Sequence, residues 1–566
     1  MQIPTDLLER EQFYWQLIQA CLVSRSQRSW NYQKLRSYYL YGSSDGATVR
    51  FNKTQASTDL LQSFLFAAET TRFAIELSEE VPASEHEKVP TMQRAMKRLW
   101  HATNADVLYG ESLKWSLVYN TMLLKPIWYD RAIHVYPVDP HQFGVLREDV
   151  INLDDQDAFV HVYQIGRSEL MRKLERIAHP RRALIGKMVQ ASTLGRSTAE
   201  PSGVQRILIA SSSPTMSGNV DVSSNFPFRY DPQVQDELVD MYELYCWTEA
   251  IEDYTIATLC DPGFFIFDRP LEEMHLKGEA PFVKLTPKPL HDYFWGESWL
   301  EPLCPLQDWR TLRMEQIKGI LARQYKPPRS LTGWAGILDE KNFALNREGG
   351  LIATQNVAAK VQDHIPALPD DAFAEIQAID AMFDEKAGLT QILRGRGESG
   401  VRAGRHADML ARLSSSRPKQ QANVTEDALE RLATTILQLY QNNVAVEYTV
   451  PRGDGRPPLK FTPKQFTSSY VCKVDSHSSS PIFTEDQKQD AVTLFKMRAI
   501  DRETVLEMYS PPNLEQLKLK LRGIEAAEAA AAAAKMKAEE ERRTSRDGRD
   551  REEDLGGETG RSGLAH

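Results

Sequence analysis

Few stretches of this 566-residue chain combine residue types that could do chemistry. Gly296-Glu297-Ser298-Trp299-Leu300 opens like the turn that presents a nucleophilic serine. Leu300 stands where the closing glycine should be, and the flanks do not read as strand–turn–helix. Asn152-Leu153-Asp154-Asp155-Gln156-Asp157 gathers carboxylates but lacks the central glycine and terminal glutamate of a calcium loop, so a surface turn is expected. The twelve histidines are scattered with no H-E-x-x-H, and the five cysteines (21, 246, 260, 304, 472) form no C-x-x-C pair. A phosphate-binding G-x-x-x-x-G-K-[ST] loop is missing. The expectation is no catalytic residue, no metal and no cofactor.

One segment has a different chemistry. Between Leu389 and Arg417 lie six arginines (394, 396, 402, 405, 412, 417) against Glu398 and Asp408, a local charge of +4 in a chain of net charge −10. Gly395, Gly397, Gly400 and Gly404 are too many for a regular element, so 389–404 reads as a loop. Such a run could be a solvated linker or could pair with acids of a neighbouring subunit. It could also touch a phosphate backbone without reading bases.

The elements around this loop are legible. Ser298 followed by Glu301 has capping-box spacing, and Pro302 and Pro305 suit a first turn, so a helix is expected to be regular from about Pro305. Leu306, Trp309, Leu312, Arg313, Gln316, Ile317, Ile320 and Leu321 continue it at three- and four-residue steps until Lys326-Pro327-Pro328. Trp309 reads as core or subunit interface. Short strands are expected at 331–338 and 349–354. A second helix follows, capped by Asp370 or Asp371, with Phe373, Ile376, Ile379 and Phe383 on one face and Gly388 at its end.

Elsewhere, helices are expected at 7–22, from Ser57 or Thr58 with Leu60, Leu61, Phe64, Leu65, Ala68 and Ile75 buried, and from about Thr91 towards Tyr119. Gly110 marks a break or a close approach in the third. Strands are expected at 123–129, 132–138, 142–146, 159–165, 238–247, 254–259 and 264–267, with a short helix at 168–177 and a long loop at 186–224. A helix at 422–441, strands at 445–450, 459–462 and 470–474, and helices at 484–495, 501–508 and 513–543 complete the order, before a disordered charged tail. The fold class is therefore α+β. Composition (42% hydrophobic, 26% charged) is that of a soluble protein, and length suggests three or four domains. No apolar run reaches about 18 residues, the start lacks a basic-then-apolar leader, and the odd scattered cysteines suit a reducing compartment.

The succession of these pieces resembles the portal proteins of tailed double-stranded DNA bacteriophages. The carriers are Pro137-Val138-Asp139-Pro140 with Phe143-Gly144-Val145 in the β-rich part, Gly296-Glu297-Ser298 at the first long helix, and Arg394-Gly395-Arg396-Gly397 in the loop. The resemblance implies a portal-like fold: N-terminal helices and β-rich wing (1–294), first stem helix (295–325), clip (326–369), second stem helix (370–388) and tunnel loop (389–404). A long helix with returning wing strands (405–483), a helical crown (484–543) and a disordered tail (544–566) follow. It implies a structural protein of the virion rather than an enzyme, a closed homo-oligomeric ring, usually of twelve subunits, at one capsid vertex and in the host cytoplasm during assembly. Through it double-stranded DNA is packaged and ejected without sequence specificity. Its partners would be the major capsid protein, the terminase large subunit and the tail adaptor or head-completion proteins, with no membrane. Arg394, Arg396, Arg402 and Arg405 would lie nearest DNA, and Trp334, Ile337, Leu338, Leu351 and Ile352 would be clip residues that dock partners. The competing readings are a DNA-processing enzyme such as a nuclease subunit, and another phage connector or scaffold component.

Overall fold

The computed structural model describes residues 1–43, 51–68, 71–77, 89–188, 238–261, 263–325, 327, 329–332, 360–363, 365–389, 416–444, 448–450, 459–463, 470–474 and parts of 494–537. Helix and sheet are mixed, as expected. The chain divides into two compact units, 1–482 and 483–566.

Helix α1 (Leu7–Leu22) starts where Asp6 accepts from the amides of Leu8 and Glu9, and it buries Tyr14, Ile18 and Cys21. A second helix, α2 (Arg25–Tyr41), follows at once and ends on Gly42, whose φ of 73° closes it in the left-handed conformation. Its polar, aromatic composition gives no simple apolar period, which is why periodicity missed it. Helix α3 (Lys53–Leu65) is capped by Asn52, which accepts from the Gln55 amide at 3.0 Å. The expected start at Ser57 or Thr58 is thus a turn late, since both residues are buried inside the helix. Ile75 belongs instead to β1 (Phe73–Leu77). The third helical run is two helices, α4 (Val89–Ala102) and α5 (Ala105–Tyr119). The break is at Asn104, with φ of 51°, a conformation asparagine tolerates better than most residues. Gly110 is neither the break nor a close approach, since a Cβ there would make ordinary van der Waals contact with the Phe66 ring at 3.5 Å.

Next come β2 (Met122–Tyr129), β3 (Ala132–Val138), β4 (Phe143–Val145), β5 (Ala158–Gly166), α6 (Arg167–Arg176) and α7 (Arg182–Met188). They lead to β6 (Leu238–Thr248), β7 (Asp253–Cys260), β8 (Phe264–Pro270) and β9 (Val283–Leu285). A five-stranded sheet of order β4-β5-β6-β7-β8 and a three-stranded sheet of order β3-β2-β9 result, antiparallel throughout. Alternate residues of β5 to β7 serve two cores. Ala158, Val160, Leu244, Cys246, Ala257 and Leu259 meet α1, while Phe159, Tyr245, Tyr254 and Ile256 meet Leu123, Val138, Phe282, Phe294 and Trp295. At Gly144 a Cβ would stand 2.4 Å from the Cys21 carbonyl oxygen, so only glycine lets α1 settle on β4.

Then follow α8 (Cys304–Tyr325), β10 (Arg329–Thr332), β11 (Lys360–Asp363), α9 (Ala372–Ala387), α10 (Ser416–Asn443), β12 (Tyr448–Val450), β13 (Leu459–Phe461) and β14 (Tyr470–Val474). The partner of β10 is β11, not 349–354, a stretch outside the described residues. Helix α10 buries Leu429, Leu432, Ala433, Ile436, Leu437 and Leu439 and lies against β14, α3, α4, β2 and β9. β14 returns to pair antiparallel with β1, Phe73 opposite Val474, which ties the end of the unit to its beginning. The expected loop at 186–224 lies outside the described residues except for the last turn of α7. In the second unit the described residues between 517 and 537 are helical. No helix among the described residues is long and apolar enough to cross a membrane.

Candidate functional site

The entry to α8 is built to be rigid. Gly296 has φ of 69°, and a Cβ there would meet the Thr286 methyl at 2.5 Å and the Lys288 carbonyl at 2.7 Å. Trp295, fully buried just before it, carries the Arg28 guanidinium 4.1 Å above its ring and donates from Nε1 to Glu148 at 3.0 Å. Arg28 and Ser24 also bond to Glu148. Lys284 donates to the carbonyls of Ile151 and Phe294 at 2.7 and 3.0 Å, and burial pulls its ammonium down to about 8. Ser298 is buried, donates to the Val118 carbonyl at 2.6 Å, and accepts from the amides of Leu300 and Glu301 at 3.1 and 3.2 Å. Its hydroxyl anchors the entry to α8. The reciprocal half of the expected capping box is replaced, since Glu301 accepts from Asn31 at 3.4 Å instead.

Helices α8 and α9 then run antiparallel, joined by charge. Arg310 Nε meets Asp380 Oδ1 at 2.8 Å and Arg313 Nε meets Glu375 Oε1 at 2.8 Å. Gln324 donates to the Pro366 carbonyl at 2.9 Å. A third element clasps the pair. Lys53, in the first turn of α3, lies 3.0 Å from Asp380 Oδ1 and 2.8 Å from Asp384 Oδ1, above the Phe383 ring at 5.0 Å. Its amide donates to Gln307 Oε1 at 3.2 Å, and Gln307 Nε2 donates to the Phe51 carbonyl at 3.0 Å. Burial alone would raise the Asp380 carboxyl, but the hydrogen bonds and charges of Arg310 and Lys53 outweigh it and hold it below its ordinary value.

The apolar pattern of these helices is only partly inward. Ile317 on α8 and Ile376, Ile379 and Phe383 on α9 are buried. Trp309, Leu312 and Leu321 are exposed, as is Phe373, which the helical period had grouped with the buried face. Asp371 occupies the N-cap of α9 but makes no side-chain cap bond, whereas Gly388 ends the helix with φ of 70° as expected. The acidic run 152–157 is a turn: Asp154 accepts from the Ala280 amide at 2.9 Å and pairs with Arg431, while Asn152 bonds to Asp155 at 2.9 Å.

Arg394, Arg396, Arg402 and Arg405 lie outside the described residues, between α9 and α10, and so do Trp334, Ile337, Leu338, Leu351 and Ile352, between β10 and β11. Lys53, Arg310, Asp380 and Glu375 were not singled out from sequence. The three-residue step from Arg310 to Arg313 and the five-residue step from Glu375 to Asp380 carried the signal, but only the antiparallel approach matches them.

The sequence model of the phage SU10 portal protein family matches residues 53–514, most of the chain. The chain belongs to that family. It is a phage portal protein, a structural ring-forming component that associates with head and tail parts at a capsid vertex. Among solved structures, this portal is similar to a chain of the "Neck of empty GTA particle computed with C6 symmetry". The identity is 10% and the TM-score 0.38, over 81% of this chain and 90% of that one. No curated protein matches the sequence.

Proposed function

We propose that the portal ring is the conduit through which double-stranded DNA enters and leaves the capsid, and that α8 and α9 are its stem. In this reading 1–294 are N-terminal helices and wing, 326–369 the clip and 389–404 the tunnel loop. Residues 405–483 return to the wing, 484–543 form the crown and 544–566 the tail. The clip, through Trp334, Ile337, Leu338, Leu351 and Ile352, docks the terminase large subunit and then the tail adaptor. The wing faces the major capsid protein.

One observation carries the reading. In sequence, an arginine- and glycine-rich stretch follows directly on an antiparallel helix pair that is cross-braced by Arg310–Asp380 and Arg313–Glu375. A conduit must let the duplex slide. An acidic body repels phosphate, while arginines on a short loop touch the backbone without reading sequence. The reading is tested by changing Arg394, Arg396, Arg402 and Arg405 together to Ala and measuring packaged DNA per particle. Rings and heads are expected to assemble at normal yield while DNA is lost from filled particles or never reaches full length. Normal packaging and retention would remove the loop from the DNA path.

A further inference from the structure

Helix α4 divides sharply into two faces. Met92, Ala95, Met96 and Trp100 are buried, with the Trp100 ring 4.9 Å from that of Phe73 on β1. On the opposite side Arg94, Lys97, Arg98 and His101 recur at three- and four-residue steps, and all four are exposed. The helix contains no aspartate or glutamate, so this face carries three fixed cations in a chain of net charge −10. By contrast, Lys173 on α6 is paired with Glu169, and Lys114 on α5 with Glu111. Among the described residues Lys97 and Arg98 have no such partner, and His101 comes no nearer than 3.9 Å to Asp106.

We propose that this face of α4 is a second contact for double-stranded DNA, outside the conduit, which holds the phosphate backbone and ignores the bases. The inference rests on the portal reading above, in which DNA is the polyanion that the ring meets. From Arg94 to His101 the stripe is about 10 Å long, and that length of duplex carries about six phosphates. Nothing apolar and bulky interrupts it, since exposed Gln93 and Ala102 flank the four cationic positions. A protein partner would ask for an apolar or aromatic centre with charges at its rim, whereas phosphate asks for charge alone. The main packing partners of α4 are β1, α5 and α10, none of them part of the helix pair read as the stem. One stripe holds DNA weakly. A closed ring repeats it in every copy at one height, so that neighbouring stripes act together on one duplex.

The test uses assembled rings of the full chain and a covalently closed, relaxed circular duplex, which has no end to thread through a ring. Wild-type rings are expected to retain the circle in a gel shift at low salt and to release it as salt rises, as counterion release requires. Lys97→Gln with Arg98→Gln should weaken retention at least about tenfold and flatten its salt dependence. Both side chains are exposed, so an unchanged unfolding midpoint separates lost binding from lost fold. Lys97→Arg with Arg98→Lys keeps the charge and should bind as wild type does. Changing Arg394, Arg396, Arg402 and Arg405 to Ala should leave the circle bound. Wild-type rings that ignore the circle, or equal retention by the Gln pair, would overturn the stripe and leave the portal reading intact. Loss in the four-arginine variant instead would do the same. Rings that retain polyglutamate but not the circle would assign the face to an acidic protein and overturn the proposal. Wild-type chain that forms no ring at any concentration would sink the portal reading itself, and this inference with it.

Discussion

His275 shows how a single buried group can set the response to pH. It is 5% exposed, and burial pulls its imidazole from the ordinary 6.5 down to about 4. The Leu276 backbone and the Asp154 charge oppose that shift, while Lys125 and Arg431 add to it. Because the folded value lies below the unfolded one, the fold holds the ring neutral. This contribution is complete above about pH 6.5 and is lost as pH falls towards 4. The expected loss is about 3 kcal/mol once both forms are protonated. Denaturant unfolding of wild type and His275→Leu at pH 7 and pH 4.5 checks it: the variant should lose less stability on acidification. Equal losses would show that the imidazole does not carry the effect. His161 is shifted the same way by burial, with Lys125 adding to the shift and Glu243 opposing it, and supplies the residual slope.

At the scale of elements, the clasp of Lys53 decides how α3 meets the α8–α9 pair. Its side chain is 12% exposed and serves two carboxylates, so removing it leaves Asp380 and Asp384 facing each other in a partly dry seam. Lys53→Met should cost about 1–3 kcal/mol in denaturant unfolding. Arg147→Ala, which breaks the exposed pair with Asp149, should leave the midpoint unchanged. Equal effects from the two substitutions would remove the clasp. α8 itself was legible from its period and from Lys326-Pro327-Pro328, but its inward face was not. Gln307 and Thr311 are buried in it while Leu312 is exposed, because the Lys53 amide at the start of α3 and the Phe51 carbonyl just before it bond to Gln307 on the polar side.

The molecule as a whole is closed by contacts that no local pattern announces. β1 and β14 are separated by nearly the whole first unit, yet pair residue for residue from Phe73–Val474 to Leu77–Tyr470. Among the described residues, Trp309 and Leu312 on α8 and Phe373 and Met382 on α9 are left exposed. The purified protein is expected to assemble, at micromolar concentration, into closed rings of about a dozen chains around a channel, a closed cyclic symmetry being the usual outcome of a head-to-tail contact. Native mass spectrometry with electron microscopy reads the stoichiometry. A stable monomer or dimer would contradict the assembly.

The amino-acid sequence by itself determined most element positions, because apolar spacing, glycine and proline act within a few residues. α1, β3, α9 and β14 follow from it. It left α2 unseen, because its buried positions are mostly tyrosines, Tyr32, Tyr38 and Tyr39 beside Leu35, and the Tyr32 and Tyr38 hydroxyls donate to remote partners, Asn120 and Asp308. It placed Phe373 inside and Lys53 nowhere. Only the tertiary structure decided those, since burial and ion pairing depend on which elements approach, and that approach is set by contacts hundreds of residues apart.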